Sequence, residues 1–127
     1  MTTSILLVDD NLIQAATRRA ILERVGYTVW VSSSATEGLE LLDEPEFFRT
    51  LGLIITDHLM PYMNGPEFVA HIRRLLPDLP VLVLSGLPDA EQDYEGLDVV
   101  FRVKPFAPDQ LIHLVRSLLD QPMVRTA

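Results

Sequence analysis

The chain has 127 residues, enough for one domain of ordinary size and no second one. Hydrophobic residues at 48% and charged residues at 22% exclude intrinsic disorder, and zero cysteines exclude a disulfide framework, a thiolate metal site and a cysteine nucleophile. Eighteen acidic residues against ten basic give a net charge of −8, without the basic face that a nucleic-acid binder needs.

No apolar run approaches the roughly 20 residues of a membrane span. Met1-Thr2-Thr3-Ser4 has no basic residue and does not read as a signal peptide. A cytoplasmic domain is expected, with no membrane contact and no direct nucleic-acid binding.

Short apolar runs then alternate with helix-like segments. Ser4–Val8 reads as a buried strand running into Asp9 and Asp10. Asn11 is placed to cap a helix over Leu12–Val25, in which Ile13, Ala16, Ala20, Ile21 and Leu22 follow roughly a 3.6-residue period and Gly26 is the stop. Tyr27–Val31 is rich in β-formers. The serines at 32–34 lead into a helix through Thr36–Leu42, and Pro45 reads as its end. Leu51–Asp57 is a strongly apolar strand, and Met60–Pro66 is turn-rich. A helix follows from about Glu67 to Leu76, with Phe68, Ile72, Leu75 and Leu76 on one side. Pro80–Ser85 is another buried run, and Val99–Lys104 is a strand interrupted by Arg102. A last helix over Pro108–Leu119 shows Leu111, Leu114, Val115, Leu118 and Leu119 as its apolar face, and 121–127 reads as a frayed tail.

Five strands alternating with helices predict an α/β fold with a parallel sheet covered by helices on both faces. The runs around Ile5, Ile54 and Val81 lack polar interruptions and suit the centre, whereas the Tyr27 and Val99 strands suit the edges. The pattern favours a doubly wound, flavodoxin-like sheet of order 2-1-3-4-5.

Four strands end in a hydrophilic residue: Val8 runs into Asp9 and Asp10, Thr56 into Asp57, Leu84 into Ser85 and Val103 into Lys104. In an open parallel sheet those ends share one edge, where ligands bind. Three carboxylates crowded together repel one another, and one ammonium leaves them short of neutrality by two charges. A divalent, oxygen-preferring ion such as Mg²⁺ supplies that balance. Lys104, the chain's single lysine, and the Ser85 hydroxyl are placed to hold phosphoryl oxygens. The set suits phosphoryl transfer, with Asp57 as the attacking carboxylate.

At these residues the sequence resembles the receiver domain of two-component response regulators. The matching positions are Asp9-Asp10, Asp57, Met60-Pro61, Gly65, Ser85-Gly86 and Lys104-Pro105-Phe106, within a stretch from roughly Ser4 to Leu119. The resemblance implies a receiver over 1–120 and a tail over 121–127. It implies that Asp57 accepts a phosphoryl group from a phosphohistidine on a sensor histidine kinase or histidine phosphotransfer protein. Asp10 and Asp57 would bind Mg²⁺ directly, Asp9 mainly through water and Leu59 through its backbone carbonyl, with Mn²⁺ as a substitute ion. Ser85 and Lys104 would hold the phosphoryl oxygens, and Pro105 would follow a cis bond. On phosphorylation Ser85 would move toward the phosphoryl group and Phe101 would turn inward, repacking a protein-contact face.

The implied function is a phosphorylatable switch that loses its group slowly to water, not an enzyme acting on a separate substrate. A stand-alone regulator is favoured by Met1 and a full last helix. The stretch from Thr56 to Pro66 resembles receivers attached to hybrid histidine kinases, so a receiver fragment of such a kinase is the alternative. The downstream target is not named, and a homodimer is compatible with the pattern.

Some positions depart from the family pattern. Leu87–Asp98 is short for a receiver's fourth helix and carries five acids with no base, so a stub is expected there. Phe101 stands where Tyr is frequent. Leu59 is apolar and offers no help to a hydrolytic water, which predicts a long-lived phosphorylated form. His58 adjoins Asp57 but, as its neighbour on a strand, points to the opposite side.

Two other classes fit less well. A haloacid-dehalogenase-type phosphatase also combines an Asp nucleophile, Mg²⁺ and Lys. That family places its second Asp two residues after a nucleophile on the first strand, whereas here the acids are adjacent and position 11 is Asn. A flavodoxin-like binder would need a phosphate-cradling loop after the first strand, where Asp9 and Asp10 repel an anion.

Overall fold

A computed structural model describes residues 3–120; the expected tail at 121–127 lies outside the described residues. Five parallel strands, β1 (Ser4–Val8), β2 (Thr28–Ser32), β3 (Leu51–Asp57), β4 (Val81–Ser85) and β5 (Val100–Val103), form one sheet of order β2-β1-β3-β4-β5. The order is the expected one. The polar-interrupted strands are at the edges because a central strand is covered on both faces and cannot solvate such residues. Leu6 pairs with Trp30 on one side and Ile54 on the other, while Ile55 pairs with Leu82 and Val83 with Phe101.

The pleat sorts alternate residues to opposite faces. Leu6, Val8, Ile54, Val81, Val83 and Phe101 enter one core, beneath α2 (Ala35–Leu41), α3 (Pro45–Thr50) and α4 (Gly65–Leu75). Ile5, Leu7, Leu53, Ile55, Leu82 and Leu84 enter the other, beneath α1 (Leu12–Arg24) and α5 (Pro108–Asp120). Continuing the alternation past the strand ends sends Asp9, Asp57 and Lys104 to the α1/α5 side and His58 to the α4 side.

Local chemistry explains the helix starts. Asn11 Oδ1 accepts from the Ile13 and Gln14 amides at 3.1 and 3.0 Å, and Asn64 with Glu67 closes a reciprocal capping box on α4. Arg73 and Arg74 occupy the last turn of α4, where positive charge is favourable.

Three expectations are corrected. Pro45 does not simply end a helix but opens α3, because proline suits the first turn, where its missing N–H costs nothing. Phe47 anchors α3, buried and edge-on to Trp30 at 5.3 Å. In α1 the core residues are Ala15 and Leu22, whereas Ile13, Ala16 and Ala20 are exposed. In α4 the buried residues are Gly65, Phe68, Val69 and Ile72, and Leu75 faces out.

The stretch expected to hold a stub is a seven-residue 3-10 segment, Pro88–Tyr94, anchored by buried Ala90 and Tyr94. Arg73 secures the turn that follows. Its guanidinium donates to the carbonyls of Leu97 (2.7 Å), Asp98 (2.7 Å), Leu79 (2.6 Å) and Leu76 (3.2 Å).

Candidate functional site

Asp9 and Asp10 follow β1, Asp57 ends β3, and Lys104 follows β5. One carboxylate oxygen from each of Asp9, Asp10 and Asp57 lies within 4.8 Å of the others. Lys104 Nζ sits 2.8 Å from Asp57 Oδ1 and donates to Gln14 Oε1 at 3.3 Å. The Asp57 oxygen also accepts from the His58 amide at 3.0 Å. Four residues up to 95 positions apart thus meet at one sheet edge.

Asp9 is fully buried, Asp57 half-buried and Asp10 exposed. Asp9 Oδ2 accepts from Arg18 Nη1 at 2.7 Å and Oδ1 from the Asn11 amide at 2.9 Å. Both contacts favour its charged form, as does Lys104, yet burial outweighs them and the neighbouring Asp57 adds to it, so the Asp9 carboxyl titrates above its ordinary value. A dication among these oxygens would reverse that balance. Three hard oxygen donors, one of them penalised by burial, fit Mg²⁺ or Mn²⁺.

The remaining expected site residues are Ser85, Leu59, Pro105 and Phe101. Ser85 is buried, but its hydroxyl is turned to its own loop: Oγ accepts from the Leu87 amide at 2.9 Å and donates to the Leu87 carbonyl at 3.2 Å. To reach a phosphoryl group it would exchange these bonds. Leu59 is exposed beyond β3. The Lys104–Pro105 bond is cis, and the Lys104 amide donates to the Ser85 carbonyl at 2.7 Å. Phe101 is already buried, 7% exposed, with its ring 5.9 Å from that of Tyr94. The expected inward turn therefore has no outward starting point in this structure: the short 3-10 segment brings Tyr94 down to cover the ring.

Sequence reasoning missed three partners. Arg18 and Gln14 are one turn apart on α1, and that spacing of two polar residues just after the aspartates was the available signal. Tyr94 carried no signal of its kind. Its hydroxyl meets His58 Nδ1 at 2.7 Å on the α4 side of the sheet, 36 positions away along the chain.

Residues 5–116 match the family described as the response regulator receiver domain. The response regulator MprA of Mycobacterium ulcerans is 32% identical over 124 residues, covering 94% of this chain and 51% of that protein. The sensor kinase CckA of Brucella abortus is 29% identical, covering 94% of this chain and 13% of that one. Among solved structures, a CheY-like receiver domain protein of Methanospirillum hungatei superposes with a TM-score of 0.84 at 25% identity, covering 94% and 95% of the two chains. The chemotaxis protein CheY4 of Vibrio cholerae gives 0.82 at 27% identity, with 94% and 100% covered. The chain spans about half the length of the first curated relatives it matches, and over that span it belongs to the response regulator receiver domain family.

Proposed function

We propose that this domain accepts a phosphoryl group on Asp57 from a phosphohistidine of a sensor histidine kinase or histidine phosphotransfer protein. The observation that carries the reading is the Lys104–Asp57 contact at 2.8 Å beside three carboxylates within 4.8 Å of one another. Asp9 is engaged by Arg18 and Asn11 while Lys104 meets Asp57, which supports Asp57 rather than Asp9 as the nucleophile. This is the pairing opposite to that of a phosphatase using the first-strand acid.

An Asp57 oxygen would form the new O–P bond as the P–N bond to the donor imidazole breaks, leaving the electron pair on that nitrogen. Asp57, Asp10, Asp9 through water and the Leu59 carbonyl would hold Mg²⁺, which when bound offsets charge on the phosphoryl oxygens. Lys104 would follow the oxygens as they gain charge, and Ser85, released from Leu87, would take another. Ser85 and Pro105 would form the switch, beside Phe101, which already packs inward. Such positioning and charge stabilisation account for most catalysis of phosphoryl transfer.

A macromolecular donor is supported by the rim of the site. Leu12 and Ile13 at the start of α1, and Leu59, Tyr62 and Leu87 on the loops after β3 and β4, are all exposed. A groove of about 510 Å³ lined by Ile13, Thr17, Lys104, Phe106 and Pro108 adjoins them. Apolar surface of this kind marks protein contact. The receiver unit would occupy 1–120, followed by the tail. Relatives about twice as long and a solved chain matched over its whole length both carry this segment, and the proposed chemistry is the same in either setting.

Incubation with acetyl phosphate and Mg²⁺ tests the reading. Intact mass should show one added phosphoryl group in the wild type and none in Asp57→Asn. Equal incorporation in both would refute it.

A further inference from the structure

Every hydrogen-bonding group of His58 but Nε2 has a short contact, and the contacts lead in two directions. Its amide is shared between the Leu84 carbonyl at 3.1 Å and Asp57 Oδ1 at 3.0 Å. Its carbonyl accepts from the Gly65 amide at 3.1 Å, and Nδ1 meets Tyr94 Oη at 2.7 Å. Both side chains are buried, at 8% and 3% exposure, and their rings lie edge-on at 5.5 Å. Gly65 makes room for this arrangement, because a Cβ there would collide with the Tyr94 hydroxyl. Tyr94 closes the 3-10 segment and also touches Phe101.

We infer that Tyr94 is a positioning residue, holding His58, and through its amide Asp57, so that the 3-10 segment senses the state of the acceptor. The inference rests on Asp57 being the phospho-acceptor. Esterification weakens Asp57 Oδ1 as an acceptor, so the shared His58 amide shifts toward Leu84. A residue held at its amide, carbonyl and ring cannot shift at one end alone. The displacement is passed to the Tyr94 hydroxyl and so to Pro88–Tyr94. Coupling of this kind is reciprocal: what Asp57 does to Tyr94, Tyr94 does to Asp57.

Tyr94→Phe removes only the hydroxyl and leaves the ring on Phe101. Hydrogen exchange over residues 86–98 is measured for each protein with and without beryllofluoride and Mg²⁺, alongside phosphoryl incorporation from acetyl phosphate. The wild type should show a change in exchange over the segment on loading, and in Tyr94→Phe that change should fall to about half or less while incorporation persists. A merely structural hydroxyl would alter basal exchange in both states alike and leave the difference intact. An undiminished response in the variant overturns the inference. A wild type that takes up no phosphoryl group overturns the functional reading itself, a separate result. Should the variant fail to fold, the ring ¹⁵N shifts of His58 in the wild type decide: they move on loading if the relay exists and stay fixed if it does not.

Discussion

Replacing Arg73 by methionine keeps an unbranched apolar stem but removes the guanidinium that gathers four carbonyls at the end of α4 and around the 96–98 turn. A hydrogen bond from a charged donor contributes about 1.5–3 kcal/mol. The bonds to Leu97 and Leu79 are short and partly buried, whereas the one to Asp98 is exposed and is regained from water. Two retained bonds correspond to about 3–6 kcal/mol. Opposing them, burial lowers the Arg73 pKa, the sign of a cation that has lost hydration. Ordering a long side chain costs up to about 2 kcal/mol. The net loss expected for Arg73→Met is about 2–3 kcal/mol, well short of unfolding a domain with about 0.05–0.15 kcal/mol of stability per residue. Urea denaturation should show a lower midpoint at unchanged m-value, with faster amide exchange at 96–98. Arg73→Lys should recover little, since one nitrogen cannot reach the same fork. A methionine variant within about 0.5 kcal/mol of wild type would refute the argument, leaving the turn held by backbone alone.

Three other outcomes follow from the site. Tyr62 is fully exposed at φ 71°, and the Met63 amide donates to the Pro61 carbonyl at 2.8 Å, a tight turn that disfavours a side chain; Tyr62→Gly should stabilise the fold by about 0.5–1 kcal/mol, a higher Tm, and a lower one would contradict the strain. The folded Asp9 binds its proton more tightly than the unfolded chain does, so ionising it costs stability above its raised pKa and that cost disappears as pH falls toward the ordinary carboxylate value. Relative to Asp9→Asn, the metal-free wild type should therefore gain stability on acidification, and a relative loss would reverse the assignment of burial as the dominant cause. With only an alkyl group at Leu59 to meet water beside the acceptor, phospho-Asp57 should persist for minutes or longer; decay within seconds, followed by mass, would exclude this.

Strand order and the edge of the sheet that holds the acids were legible because they depend on features visible in one dimension. Apolar runs without polar interruptions must be central, and parallel strands bring their C-terminal ends together whatever lies between them. The α1 face was not legible, since exposed Ile13 beside Lys104 breaks the amphipathic rule at the site itself, where local rules are expected to fail. Nor was α3, because proline both ends and begins helices. Alternation along β3 correctly sent His58 away from Asp57 but carried no information on what it would meet there. The Arg73 clamp was equally hidden: Arg73-Arg74 reads as a surface pair, and only the fold brings the 97–98 carbonyls to one of the two.

Calorimetric titration with Mg²⁺ tests the shared cation site most directly. The geometry predicts one ion per wild-type chain and weakened binding in each of Asp9→Asn, Asp10→Asn and Asp57→Asn. Lys104→Met should bind Mg²⁺ at least as tightly, because the competing ammonium is gone. Undiminished binding in all three carboxylate variants would show that these oxygens do not share a cation.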